Sequence, residues 1–102
     1  MLRRALIVLL FTLAAFAQSN AELARIYKED QAEREHQFTI TPDQMREIAT
    51  RDTVRRQRVR ELLDSGALHT SEDYVRAAFL FQHGSTPDDF LVAHVLGLIA
   101  TR

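Results

Sequence analysis

Two acid–arginine pairs are the first residues whose types and spacing suggest chemistry. Asp30 stands four residues before Arg34, with Gln31 between them, and Asp52 stands three before Arg55 and four before Arg56. Residues three or four apart are neighbours on a helix, so each pair can close an ion pair on one face. In water such a pair contributes a few tenths of a kcal/mol. Withdrawn from water, it persists only as a network in which every donor and acceptor is matched. Both pairs fall where an apolar stripe should continue, so the sequence leaves two readings: ordinary surface pairs, or one polar network between two helices.

The histidines come next, because imidazole serves as metal ligand or as acid and base near neutral pH. His83 follows Gln82 at the end of an apolar segment, and His94 lies eleven residues on. On two antiparallel helices they should stand roughly 10 Å or more apart along the axis, too far to share one metal. A structural role for His83 at a helix C-terminus, where positive charge is favoured, competes with any catalytic one. Asp73, near the level of His94 in such a hairpin, completes the candidate set: Asp30, Gln31, Arg34, Asp52, Arg55, Asp73, Gln82, His83 and His94. The chain has no cysteine, so neither a disulfide nor a thiolate site is available. It also lacks a helical His-Glu-x-x-His, a phosphate-binding glycine loop and a Gly-x-Ser-x-Gly elbow. The expectation is no metal and no cofactor. Arg51, Arg55, Arg56, Arg58 and Arg60 are interspersed with Asp52, Glu61 and Asp64, the pattern of a solvated helix face.

Helices must position these groups. Ser19 or Asn20 can cap a helix running to about His36, with Leu23, Ile26 and Tyr27 on its apolar side. Thr41-Pro42-Asp43-Gln44 is a start signal made of cap, first-turn proline, first-turn acid and capping-box glutamine. That helix runs to about Ser65 and stops at Gly66, with Met45, Ile48, Val59, Leu62 and Leu63 as its stripe. Thr70 caps the next helix and places Asp73 in its first turn, and Gly84 is expected to end it in a left-handed conformation. Thr86-Pro87-Asp88-Asp89 starts the last one, whose stripe reads Phe90, Leu91, His94, Val95, Leu98 and Ile99. The short connection makes the last two helices an antiparallel αα-hairpin, with Ala77, Ala78, Ala93 and Gly97 permitting close approach. Phe79, Phe81 and Phe90 read as core. The fold class expected is all-α, tallied as a signal helix followed by three helices, the last two forming the hairpin.

Met1-Leu2-Arg3-Arg4 is a short basic start, Ala5 to Phe16 is apolar apart from Thr12, and Ala15-Phe16-Ala17 offers small residues where a signal peptidase reads. The run is short of the roughly 20 residues that span a bilayer. Residues 1–17 are therefore read as a cleaved signal peptide and residues 18–102 as one small helical domain, exported to the periplasm or the medium. Contact with a membrane is expected only through the leader before cleavage. Beyond residue 17 there are 11 basic against 14 acidic residues, a net of −3, which speaks against nucleic acid as a partner.

Several segments together resemble a group of exported bacterial proteins of unknown function. They are Asp30-Gln31-x-x-Arg34, Asp52-x-x-Arg55-x-x-x-Val59, Asp73-Tyr74-x-x-Ala77-Ala78-x-x-Phe81-Gln82-His83-Gly84, and Asp89-Phe90-Leu91-x-Ala93-His94. The resemblance implies that this chain is the N-terminal part of a longer one; it implies no activity. Two functions are expected from the residues: a binding module for a protein or peptide, or the N-terminal part of a hydrolase-like enzyme built on the Asp/Arg/Gln/His cluster. Convergence of those side chains on one concave surface would favour the second.

Overall fold

The computed structural model describes residues 17–102; the signal-peptide assignment to residues 1–17 lies outside them except for Ala17. The described residues are all-α: α1 (Ala21–Glu33), a 3-10 turn (Gln37–Thr39), α2 (Pro42–Asp64), α3 (Ser71–Gln82) and α4 (Pro87–Ala100). Each helix marked by a local start signal is present, so the tally of three helices after the leader falls one short. No helix among the described residues is long and apolar enough to cross a membrane.

The N-termini follow from the capping chemistry. Asn20, Thr41, Thr70 and Thr86 each accept the backbone N–H three residues on, an interaction worth about 1 kcal/mol per helix. Thr41 and Gln44 close a reciprocal box, as do Thr70 and Asp73. α2 ends in a Schellman turn: the Ala67 N–H bonds to the Leu62 carbonyl and the Gly66 N–H to that of Leu63, with Gly66 at a φ of 74°.

Gly84 departs from expectation. Its φ is not positive, and Gly66 alone among the described residues takes that conformation. What position 84 requires is space, because a Cβ there would run into the Cβ and carboxylate of Asp89. Gly97, by contrast, is not a packing requirement, since a Cβ there would find nothing within 4 Å. α1 stops at Glu33 rather than about His36, making Arg34 its C-cap.

α3 is the centre of the fold. α4 packs antiparallel along it, and α1 and α2 pack on its other sides. The core joins Leu23 and Ile26 of α1, Val59 and Leu62 of α2, Ala77, Leu80 and Phe81 of α3, and Ala93 and Leu96 of α4. Phe81 is the largest side chain fully buried. Phe79 and Phe90, expected in the core, are 42% and 51% exposed. The stripe expected on α4 points outward as well: Leu91, Val95, Leu98 and Ile99 are exposed, while Ala93 and Leu96 face α3. α4 is apolar almost all round, so the period of its sequence carries no phase.

Candidate functional site: an ionic cluster at the floor of an apolar groove

The two acid–arginine pairs form one network, built where the C-terminus of α1 meets the middle of α2. Asp30 is fully buried in the last turn of α1, and its Oδ1 accepts Arg34 Nη1 at 2.6 Å. The same guanidinium reaches across to α2, where Nη2 donates to Asp52 Oδ2 at 2.6 Å. Arg34 makes this bridge because it is the C-cap, where the chain leaves α1 and turns towards α2. Asp52 Oδ1 accepts Arg55 Nη1 at 3.1 Å, which selects Arg55 over Arg56 as its partner. Gln31 closes the remaining valence, donating to Asp30 Oδ2 at 3.0 Å. Among the described residues no buried side-chain polar atom is left without a partner, the condition under which a buried ionic network is tolerated.

His83 joins from α3. It is the C-cap of that helix, and its Nδ1 lies 3.0 Å from Asp30 Oδ1. Its carbonyl accepts Arg56 Nη1 at 2.7 Å, so a cation also meets the negative end of α3. Burial pushes the Asp30 carboxyl up, but the His83 hydrogen bond, the charges of His83 and Arg34 and the Gln31 amide outweigh it and hold Asp30 below its ordinary value. Asp30 is therefore a carboxylate at neutral pH. It can only accept, so the hydrogen in this contact is on His83 Nδ1, and Nε2 is the ring nitrogen turned away from Asp30.

Six of the nine candidates thus meet: Asp30, Gln31, Arg34, Asp52, Arg55 and His83. The other three do not. Asp73 is buried at the opposite end of α3, where it accepts backbone N–H groups from Asn20, His69 and Thr70. Gln82 and His94 are exposed and line a separate shallow groove between α3 and α4, with Phe79 and Leu98.

Sequence reasoning missed Glu33. Its carboxylate bonds Arg55 at 2.8 Å and also pairs with Arg51. The Arg55 hydrogen bond is the main influence that outweighs burial and holds Glu33 below its ordinary value. The available signal was its position three residues after Asp30, on the same side of the helix. The arginine series of α2 is exposed at Arg51, Arg58 and Arg60, as expected of a solvated face, but not at Arg55. Arg55 is buried, and Arg60 stacks over Phe81 at 5.3 Å.

Arg34, Asp52 and His83 form one wall of a cavity of about 640 Å³. Phe38 and Ile40 from the connector, and Met45, Ile48 and Ala49 from α2, supply the rest. Phe38 is 95% exposed and Met45 56% exposed, although Met45 was expected to pack in the core stripe. The N-terminal turns of α2 extend beyond the body of the bundle, which leaves their apolar residues facing this opening.

One oxygen each of Asp30 and Asp52 and a ring nitrogen of His83 lie within 4.8 Å of one another, a donor set that suits a divalent cation by type. Arg34 already sits between the two carboxylates, so a cation would have to displace its guanidinium. No family model, curated protein or solved structure matches this chain.

Proposed function

We propose that this chain is an exported helical binding module that holds a protein or peptide partner in the groove between the connector and α2. The supporting observation is the composition of the opening. Solvent-facing Phe38 and Met45 stand beside an ionic floor of Arg34, Asp52 and His83. Apolar walls with a few convergent polar groups are the usual make-up of a recognition pocket. The floor is held rigid by its own network, so a ligand would not have to order it. Peptides displayed on phage and selected on the purified domain should converge on sequences with an apolar anchor. Phe38→Ser with Met45→Ser should abolish their binding at unchanged stability, since both side chains are solvent-facing. No enrichment, or binding indifferent to those substitutions, would refute the reading.

Export is part of the same proposal. It rests on the basic start, the apolar run and the Ala15-Phe16-Ala17 motif, and on the resemblance to exported bacterial proteins. Material recovered from the periplasm or medium should begin at Gln18 on N-terminal sequencing. A mature chain retaining Met1 would contradict it.

A further inference from the structure

We propose that His83, oriented by Asp30, is a general base in the groove and hydrolyses carboxylic esters that carry an apolar group. The inference deepens the groove reading and depends on it. A fully buried carboxylate takes the Nδ1 hydrogen of His83, which leaves Nε2 as the ring nitrogen available to the cavity that His83 lines. Among the described residues Nε2 has no hydrogen-bond partner. A buried carboxylate behind an imidazole fixes the tautomer and stabilises the imidazolium once it forms.

Arg34 lines the same wall. Its guanidinium spends two Nη1 hydrogen bonds on Asp30 and one Nη2 hydrogen bond on Asp52. A guanidinium has five N–H donors, so Nε–H and one Nη2–H remain for a developing oxyanion. The apolar walls, Phe38, Met45 and Ile48, set the class of substrate by accepting its hydrocarbon part.

The steps balance without a further reactant. Water attacks the acyl carbon as Nε2 takes one of its protons, and the carbonyl electron pair moves onto oxygen, facing Arg34. The tetrahedral intermediate collapses, the acyl C–O bond breaks, and the imidazolium returns its Nε2 proton to the departing alkoxide. The products are an alcohol and a carboxylic acid, which ionises at neutral pH. His83 is the catalytic residue and Asp30 a positioning residue.

The test uses the chain from Gln18 to Arg102 and p-nitrophenyl hexanoate. Wild type should hydrolyse it faster than equimolar free imidazole. The informative variant is His83→Asn, whose amide nitrogen can still donate to Asp30 while the base is gone. It should stay folded and lose about 100-fold or more, the usual scale of a general base. His94→Asn should keep the full rate and so separates a sited imidazole from any surface one. Ring nitrogen NMR shifts should show a single Nδ1–H tautomer of His83 in the wild type and its loss in Asp30→Asn. A wild-type rate no greater than that of imidazole, activity surviving in His83→Asn, or a mixed tautomer in wild type would each overturn the inference. If selected peptides still bind through Phe38 and Met45 in that event, only the catalytic inference falls. If they do not bind either, the groove reading falls with it.

Discussion

Asp52→Asn and Arg34→Met should each lower the unfolding free energy by about 3 kcal/mol, the lower end of the range for breaking one partner of a buried pair. Asp52 is 6% exposed and accepts from two guanidinium groups, Arg34 at 2.6 Å and Arg55 at 3.1 Å. Asparagine keeps its shape but removes the charge, and it turns an N–H donor towards one of two groups that can only donate. Arg34→Met does the reverse. It leaves Asp52 with Arg55 alone, and the fully buried Asp30 with Gln31, His83 and an Arg55 Nη1 that is 3.9 Å from its Oδ1. Because the two residues bond each other directly, the double variant should fall short of the sum by about 1–3 kcal/mol. Urea unfolding of the three variants closes the cycle. The exposed pair Arg25–Glu29, bonded at 3.2 Å, is the internal reference, and breaking it should change stability by less than about 0.5 kcal/mol. Single variants at the network that match this reference would mean that water reaches the carboxylates and that no buried network exists.

What made this network legible was an inconsistency within the sequence itself. A helix whose apolar stripe runs through Leu23 and Ile26 and then lands on Asp30 has only two outcomes: the stripe ends, or the acid is buried and matched. The same inconsistency at Ile48, Asp52 and Val59 identified the partner helix. Helix starts were equally plain, because a cap and its acceptor are three residues apart and need no knowledge of the rest of the chain. Contacts distant in sequence were not. Nothing local ties His83 to Asp30, 53 residues away, or turns Arg56 towards the His83 carbonyl. Gly84 carried a correct signal with the wrong cause, since glycine can mark a left-handed turn or a lack of room, and only the position of Asp89 separates the two. Where the sequence is uniformly apolar, as in α4, periodicity has nothing to measure, and the buried line falls on the small Ala93 that lets α3 come close.

Asp73 shows how an apparent site residue can be wholly structural, and its removal carries the second large effect. Asp73→Ala should destabilise the domain by about 3 kcal/mol or more. The carboxylate is fully buried and accepts three backbone hydrogen bonds: Asn20 N–H at 2.8 Å, His69 N–H at 2.9 Å and Thr70 N–H at 3.3 Å. Asn20 caps α1 and Thr70 caps α3, so one side chain fastens the starts of two helices and the connector after α2. Alanine would leave those donors without an acceptor, at about 1–3 kcal/mol for each that water cannot reach. Asp88→Ala, in the exposed first turn of α4, should stay within about 1 kcal/mol of wild type. The acid limb of stability provides an independent check. Burial pushes the Asp73 carboxyl up, but the backbone N–H groups of His69, Asn20 and Thr70 outweigh it and hold the group below its ordinary 3.8. A carboxyl depressed in the folded state contributes stability above its unfolded value and loses it as pH falls through its folded value. Asp30 and Glu33 are displaced in the same direction, so the wild-type domain should weaken progressively below about pH 4. Asp73→Asn cannot titrate, and its loss of stability between pH 5 and about pH 2 should be shallower than that of wild type. An acid limb of unchanged slope in that variant, or an Asp73→Ala protein that unfolds at the wild-type urea midpoint, would show that the two helix starts hold without this carboxylate.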